Sequence, residues 1–290
     1  MSAAASAIPL LSVEDLSLEF RTRHGTVKAL ERVSFEVYKN ERVALVGESG
    51  SGKSVTALSI MGILPPASRV TSGRIVFGGL DLLTASEAQL ADYRGRELSM
   101  VFQGARAALN PIRPVGKQLG DVLLRHANLP RSRIKDRAIE LLARVQIPDP
   151  AQRYHAYPFE LSGGMCQRVM IALAVACAPA LLIADEPTTG LDVTTQAAIM
   201  DMLHDLQRDT RMSTIMITHD LALAAEVCDR IVVMQAGRVV ESAPARELFS
   251  APRHPYTARL IAATPRPDAT LADLAPADLF VSDPPLFVPS

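Results

Sequence analysis

Short apolar runs bounded by turn residues alternate with longer segments of helical periodicity along this chain. Three early runs, rich in apolar and β-branched residues, predict strands at 16–20, 33–37 and 42–47. Helical periodicity then alternates with four further strand-like runs, at 97–102, 180–185, 213–218 and 230–235. Strands that alternate with helices favour a parallel sheet covered by helices, so the pattern predicts an α/β fold with a β-rich entry into a larger sheet.

The interval between about 104 and 178 is nearly all helical in pattern and is punctuated by prolines. It predicts a helical lobe inserted into the α/β core of a domain at 1–264. The tail at 265–290 is rich in Pro, Asp and Ala and predicts a loosely packed C-terminal extension. The longest apolar stretch, 169–184, is shorter than the ~20 residues of a bilayer span, so it predicts a buried helix followed by a buried strand.

Composition narrows the function classes only slightly. The 290 residues are 48% hydrophobic and 21% charged with a formal net charge of −1, so no excess of basic residues points to nucleic acid. The N-terminus lacks the basic region of a signal peptide, and a cytosolic chain is expected. Cys166, Cys177 and Cys228 are widely spaced, which favours buried or neutral thiols over disulfides or a zinc site.

The segment GESGSGKS matches the P-loop pattern G-x-x-x-x-G-K-[S/T] between a predicted strand and a helix that begins near Lys53. Backbone N–H groups of such a loop converge on nucleotide phosphates, Lys53 is expected to reach the β and γ oxygens, and Ser54 to ligate Mg²⁺. The alternative is a glycine-rich turn that binds nothing. The predicted nucleotide-binding residues of this loop are Gly47, Glu48, Ser49, Gly50, Ser51, Gly52, Lys53 and Ser54.

Polar side chains follow three of the predicted strands. Asp185 and Glu186 end an apolar run; Asp185 is expected to hold Mg²⁺ through water, and Glu186 to polarise the attacking water as general base. His219 ends another run and could orient that water. Gln103 could contact Mg²⁺ or water. The alternatives are a strand that simply ends at solvent, an ordinary surface histidine and a plain glutamine at a strand end.

These segments, in this order, resemble the nucleotide-binding subunit of an ABC transporter over residues 10–250. The resemblance rests on the P-loop, Gln103, the signature LSGGMCQ, the strand LLIADE, the D-loop GLD and His219. It implies a P-loop NTPase (RecA-like) core with a β-rich subdomain and an inserted all-helical signature subdomain. It also implies that ATP and Mg²⁺ are bound.

The same resemblance assigns further site residues. It places Phe20 on the adenine. The signature residues Ser162, Gly163 and Gly164 open a helix whose N-terminus can bind an anion, although a plain helix start would look the same. In the family this motif closes over the γ-phosphate held by a second subunit, so two chains pair head to tail. Asp192 of the D-loop would help join them.

A narrower resemblance is to importer cassettes for oligopeptides, dipeptides or nickel, carried by segments such as ADEPTTGLDVTTQ and HPYTARL. It implies a second ATP-binding subunit, identical or paralogous, two transmembrane permease subunits, and an extracytoplasmic solute-binding protein reached indirectly. It places the chain at the cytoplasmic face of the inner membrane. The chain departs from the group at GARAALNP after Gln103 and at Cys166. The tail lacks the cysteine cluster of many relatives, so their iron–sulfur centre is not expected.

The resemblance implies a cycle in which two bound MgATP close the dimer and hydrolysis reopens it, because a ligand shifts a conformational equilibrium only by differential affinity. A soluble ABC-type ATPase that acts on nucleic acid or ribosomes is the second reading. A repair ATPase of this class would need a long coiled coil between the P-loop and the signature, and a translation factor would usually have two cassettes in one chain. Neither pattern is found in the sequence. A regulatory cassette that binds ATP without hydrolysis is the third reading, and Glu186 and His219 argue against it.

Overall fold

This computed structural model describes residues 8–264, which contain ten strands, eleven α-helices and two short 3₁₀ helices at Arg131–Arg133 and Pro158–Glu160. The strands are β1 (Leu11–Thr22), β2 (Gly25–Val37), β3 (Arg42–Val46), β4 (Ser68–Phe77), β5 (Leu80–Asp81), β6 (Leu98–Val101), β7 (Leu181–Asp185), β8 (Ser213–Thr218), β9 (Arg230–Gln235) and β10 (Arg238–Pro244). The helices are α1 (Lys53–Met61), α2 (Glu87–Tyr93), α3 (Ala105–Ala108), α4 (Val115–His126), α5 (Ile134–Arg144), α6 (Pro150–Arg153), α7 (Gly163–Val175), α8 (Val193–Thr210), α9 (Leu221–Val227), α10 (Ala245–Ser250) and α11 (Pro255–Ala263).

A six-stranded sheet with the order β10-β9-β3-β8-β7-β6 forms the centre of the fold. Its strands are parallel except β10, which runs antiparallel to β9. The central strands are short and apolar because both faces are covered: in β3, Val43 and Leu45 pack on one side, and Ala44 and Val46 on the other. The predicted helix-covered parallel sheet is confirmed, and its carboxyl edge is where ligands of such sheets bind.

A second sheet, with the order β2-β1-β4-β5, is antiparallel and packs against one face of the central sheet. The prediction that the early strands enter the larger sheet is therefore right for β3 and wrong for β1 and β2. These two strands pair with each other because a short turn at residues 23–24 joins them, and antiparallel strands need no crossover.

Helices α3–α7 lie between β6 and β7, as the helical pattern predicted, and α3, α4, α5 and α7 share one hydrophobic core. Helix α7 ends at Val175 and β7 begins at Leu181, so the long apolar stretch is a buried helix followed by a buried strand, as expected. No helix among residues 8–264 is long and apolar enough to cross a bilayer. The predicted extension at 265–290 lies outside the described residues, and the domain bounds stay a prediction.

The cysteines agree with the expectation of buried or neutral thiols. Cys166 and Cys228 are buried, and Cys177 is half-buried. Burial raises the pKa of the Cys228 thiol to about 12, so this thiol is neutral at physiological pH.

Candidate functional site

The loop at 47–54 joins the carboxyl end of β3 to the first turn of α1, which begins at Lys53 as predicted. Gly47 (φ +151°) has no room for a side chain, because a Cβ there would lie 2.1 Å from the carbonyl oxygen of Met234. Gly52 caps α1 with φ +103°, a conformation that favours glycine. The first turn of α1 contains no acidic residue, so the positive end of the helix dipole is available to an anion.

Lys53 lies folded into this loop with only 6% of its surface exposed. Its ammonium donates hydrogen bonds to the carbonyl oxygens of Gly47 at 2.7 Å and Glu48 at 2.8 Å. Burial lowers the pKa of Lys53, and the charges of Glu186 and Asp185 oppose that shift. The arrangement therefore holds a cation close to two carboxylates at the edge of the sheet.

Asp185 is the last residue of β7 and is 5% exposed. Its Oδ1 accepts a hydrogen bond from the Ser54 hydroxyl at 3.2 Å, which joins the end of the strand to the start of α1. Burial raises the pKa of Asp185, the Ser54 hydrogen bond opposes the shift, and the Glu186 charge adds to it. A cation bound here would stabilise the ionised carboxylate.

These two oxygen donors fit Mg²⁺, which takes one or two carboxylates and completes its shell with phosphate oxygens and water. A site of that kind needs no larger cluster of protein ligands. Within residues 8–264, no group of three or more His, Cys, Asp or Glu side chains is placed to hold a metal by itself.

Glu186 follows Asp185 directly and turns out of the strand with φ +45°. Its Oε2 accepts hydrogen bonds from the Gln103 amide nitrogen and from the Thr189 hydroxyl, both at 2.8 Å. Its Oε1 lies 3.4 Å from Nδ1 of His219. The structure thus brings Gln103 and His219, which were predicted from two other strand ends, to the carboxylate of Glu186.

Thr189 was not predicted, although it lies in the segment ADEPTTGLD that carried the resemblance. A hydroxyl three residues after an acidic strand end is the local signal that could have identified it. Gln103 contacts Glu186, and no contact with Asp185 or Ser54 is found; its role as a metal ligand stays a prediction.

The signature residues lie in a different part of the same chain. Ser162 caps α7, and its hydroxyl accepts a hydrogen bond from the Met165 N–H at 3.2 Å. A Cβ on Gly164 would lie 2.8 Å from the Thr195 side chain, so α7 packs tightly against the start of α8. The cleft at this helix tip is lined by residues 162–165, 168, 190–192, 194, 195 and 198, and none of these belongs to the P-loop.

Asp192 and Phe20 have local partners within the chain. Asp192 caps α8 and accepts hydrogen bonds from the Thr195 N–H and hydroxyl, at 2.9 and 2.7 Å. Phe20 is half-buried near the end of β1, where it pairs with Val27 on one side and Ser68 on the other. The predicted roles of these two residues toward a partner chain and the adenine are not tested by these contacts.

The departures from the family pattern lie away from the phosphate loop. Gly104 adopts φ +80° and opens the short helix α3, directly after Gln103. Cys166 lies on the buried side of α7, where its thiol is 3.4 Å from the carbonyl oxygen of Pro158. It therefore faces the helical lobe, away from the cleft at the helix tip.

Comparison with known proteins places this geometry in a class. The profile of the family described as ABC transporter matches residues 30–189. A solved dimeric structure of the ATP-binding cassette MJ0796 in a post-hydrolysis state, bound to ADP and Pi, is similar with a TM-score of 0.73 and 25% identity, over 81% of this chain and 99% of that chain. The cassette cbiO1 from Clostridium perfringens, part of the ABC transporter complex cbiONQ, is similar with a TM-score of 0.70 and 29% identity, over 84% and 91%. The fold and site thus define an ABC-type ATPase.

Curated relatives narrow the class. The dipeptide transport ATP-binding protein DppD of Bacillus subtilis (strain 168) is 48% identical over 281 residues, which are 97% of this chain and 83% of that protein. DppD of Escherichia coli (strain K12) is 49% identical over 256 residues, 88% of this chain and 78% of that protein. A second profile, oligopeptide/dipeptide transporter, C-terminal region, matches residues 240–278. The chain belongs to the family of ATP-binding subunits of oligopeptide/dipeptide ABC importers, and its activity is ATP hydrolysis coupled to transport.

Proposed function

We propose that this chain hydrolyses ATP with Glu186 as the general base, at a site completed by a second cassette. The observation that carries the proposal is the carboxylate of Glu186, which Gln103 and Thr189 hold by hydrogen bonds and which lies beside His219. Two hydrogen bonds thereby hold Oε2 at the edge of the sheet, and Oε1 lies next to the His219 ring. A base that is held in position polarises an attacking water more effectively than a mobile one.

The P-loop supplies the phosphate contacts in this proposal. Its backbone N–H groups and the Lys53 ammonium bind the β- and γ-phosphates. Ser54 and Asp185 would hold Mg²⁺, which neutralises charge on the phosphate oxygens when it is bound. Gln103, whose amide nitrogen is bonded to Glu186, would offer its carbonyl oxygen to the metal or to a water bound to it. Phe20 stacks on the adenine.

A second cassette supplies Ser162, Gly163 and Gly164 to the γ-phosphate. The support is the separation within one chain: these residues line a cleft with the D-loop and the start of α8, away from their own P-loop. Asp192 lies at the same cleft and joins the two halves. The dimeric state of the similar cassette MJ0796 is consistent with this pairing.

The transported solute is a dipeptide or an oligopeptide, as the names of the relatives suggest. Two permease subunits form the pathway, an extracytoplasmic binding protein delivers the solute to them, and this chain works at the cytoplasmic face of the inner membrane. Co-purification of membrane permeases with the tagged chain tests these partners. Recovery of ribosomes or nucleic acid in their place would contradict the assignment.

The base is tested with Glu186→Gln in the assembled transporter, with Glu226→Gln on the exposed side of α9 as the matched control. Removal of the carboxylate is expected to lower kcat by at least about 100-fold. The dissociation constant for MgATP should stay within about twofold of the parent value, because the phosphate loop is unchanged. Hydrolysis by Glu186→Gln at the parent rate would show that another group is the base.

The shared site is tested by placing two inactivating substitutions, Lys53→Ala and Ser162→Glu, in a complex that contains two copies of this chain. With one substitution in each copy, one composite site keeps both intact halves, and about half of the activity should remain. With both substitutions in the same copy, each site has one defect, and activity should be lost. A site enclosed in one chain predicts the opposite pattern.

A further inference from the structure

Helix α11, near the end of the described chain, touches the phosphate loop. The hydroxyl of Tyr256 accepts a hydrogen bond from the backbone N–H of Glu48 at 3.0 Å, across 208 positions of sequence. Tyr256 is 3% exposed and lies in the core that also contains Val46, the residue just before the loop. Burial raises the pKa of this hydroxyl, so it is neutral at physiological pH.

The start of α11 is held by a buried carboxylate on the neighbouring strand. Glu241 of β10 is 8% exposed and accepts hydrogen bonds from the backbone N–H groups of Arg253 at 2.8 Å and His254 at 3.0 Å. His254 caps the helix by accepting a hydrogen bond from the Tyr256 N–H through Nδ1 at 3.2 Å. Glu241 of β10 therefore holds the start of α11, and with it the ring of Tyr256, in position.

Glu48 is the loop residue that contacts both Tyr256 and Lys53. While its N–H donates to Tyr256, its carbonyl oxygen accepts hydrogen bonds from the Lys53 ammonium at 2.8 Å and from the Ser51 N–H at 3.2 Å. One residue thus joins the tyrosine hydroxyl to the lysine of the loop. The N–H of Glu48 is therefore bonded to α11, and the N–H of Ser51 is bonded within the loop.

We propose that Tyr256 is a positioning residue for the nucleotide site, because its hydroxyl fixes the Gly47–Glu48 peptide, whose carbonyl oxygen accepts a hydrogen bond from the Lys53 ammonium at 2.7 Å. This proposal rests on the proposed binding of ATP at 47–54. It gives the HPY segment, in the region matched by the oligopeptide/dipeptide transporter C-terminal profile, a direct part in nucleotide affinity.

The test is Tyr256→Phe, which removes one oxygen and keeps the ring. Tyr154→Phe in the helical lobe, also a buried tyrosine, is the matched control. We expect the dissociation constant of the full chain for MgATP to rise about threefold to tenfold, the equivalent of one net hydrogen bond. In the assembled transporter, kcat at saturating MgATP should change less than about twofold, because Glu186 and its partners are untouched, whereas KM rises.

A purely structural role would lower Tm and leave the affinity of the folded chain unchanged, and that result overturns the proposal. Glu241→Gln, which weakens the anchor of α11, should raise the dissociation constant in the same direction and be non-additive with Tyr256→Phe. If the variant does not fold, hydrogen exchange of the parent chain decides: a protected Glu48 amide supports the proposal, and an unprotected one refutes it. Lys53→Ala distinguishes a failure of the Tyr256 proposal from a failure of the proposed nucleotide site. Unchanged MgATP affinity in that variant would refute the nucleotide site itself.

Discussion

Gly47→Ala tests whether the phosphate loop depends on close backbone packing against β9. The added Cβ would lie 2.1 Å from the carbonyl oxygen of Met234 and 2.8 Å from the Ser51 hydroxyl. A backbone carbonyl in the sheet cannot rotate away, so β3, the loop or β9 must shift. The positive φ of +151° adds conformational strain. Overpacking costs about 1–3 kcal/mol and the strained conformation about 1–2 kcal/mol, so we expect a loss of about 2–5 kcal/mol in the free energy of unfolding.

Gly50→Ala is the matched control within the same loop. Gly50 has φ +80°, and an added methyl group would meet no atom within 4 Å, so the substitution carries the conformational cost alone. The difference between the variants isolates the steric contribution, about 1–3 kcal/mol. At about 2–4 °C per kcal/mol for a chain of this size, Gly47→Ala should melt about 2–12 °C below Gly50→Ala.

Thermal unfolding of the full chain should be followed without nucleotide, because a ligand that binds the folded state raises Tm by itself. Urea titration at 25 °C provides the free energies directly. Equal Tm values for the two alanine variants would refute the reasoning, since they would show that the loop moves away from Met234 at no cost.

Two further predictions concern a hydroxyl and a surface ion pair. Thr189→Val removes the hydroxyl that donates to Glu186, so kcat should fall about threefold to tenfold at unchanged MgATP affinity. The control Thr189→Ser keeps the hydroxyl and should stay near the parent rate. A valine variant that hydrolyses ATP at the parent rate would contradict the role of Thr189. Burial works to raise the pKa of Asp229, but its hydrogen bonds from Arg42 outweigh this and hold the pKa below its ordinary value. The pair therefore stabilises the fold above pH ~4 and loses this contribution as pH falls through the lowered folded pKa. Asp229→Asn should lower the free energy of unfolding by less than about 1 kcal/mol at pH 7. Between pH 5 and 3, urea titrations should show a smaller loss of stability for this variant than for the parent. Identical pH profiles of the two proteins would show that the pair contributes nothing.

The central sheet was predictable because its strands are apolar on both faces. Runs such as RVALV and LLIAD are short, continuous and bounded by turn residues, and they match β3 and β7 closely. Strands β4 and β10 were missed because most of their residues are exposed or half-buried, so their patterns lack a continuous apolar signal. The resemblance implied a β-rich subdomain, and the four-stranded sheet agrees with it; periodicity alone did not separate that sheet from the core, since it identifies a strand and not its neighbour.

The candidate site was predictable one residue at a time. Motif and strand-end arguments identified Gln103, Glu186 and His219, whereas their meeting at one carboxylate required the order of β6, β7 and β8 in the sheet. Thr189 and Tyr256 lie in segments that carried the resemblance, but those segments do not show which groups the two hydroxyls contact. A contact across 208 positions, such as that between Glu48 and Tyr256, has no local signal.

With Glu186 as the proposed base, its bond to Gln103 would also tie the rate of hydrolysis to the orientation of the helical lobe. Gln103 lies where the chain leaves β6 for that lobe, and α3 begins two residues later. A rotation of the lobe that moves Gln103 by an ångström or so would stretch a 2.8 Å hydrogen bond beyond its useful range. Under the proposed mechanism, turnover measured in the complete transporter would therefore report the orientation of the lobe.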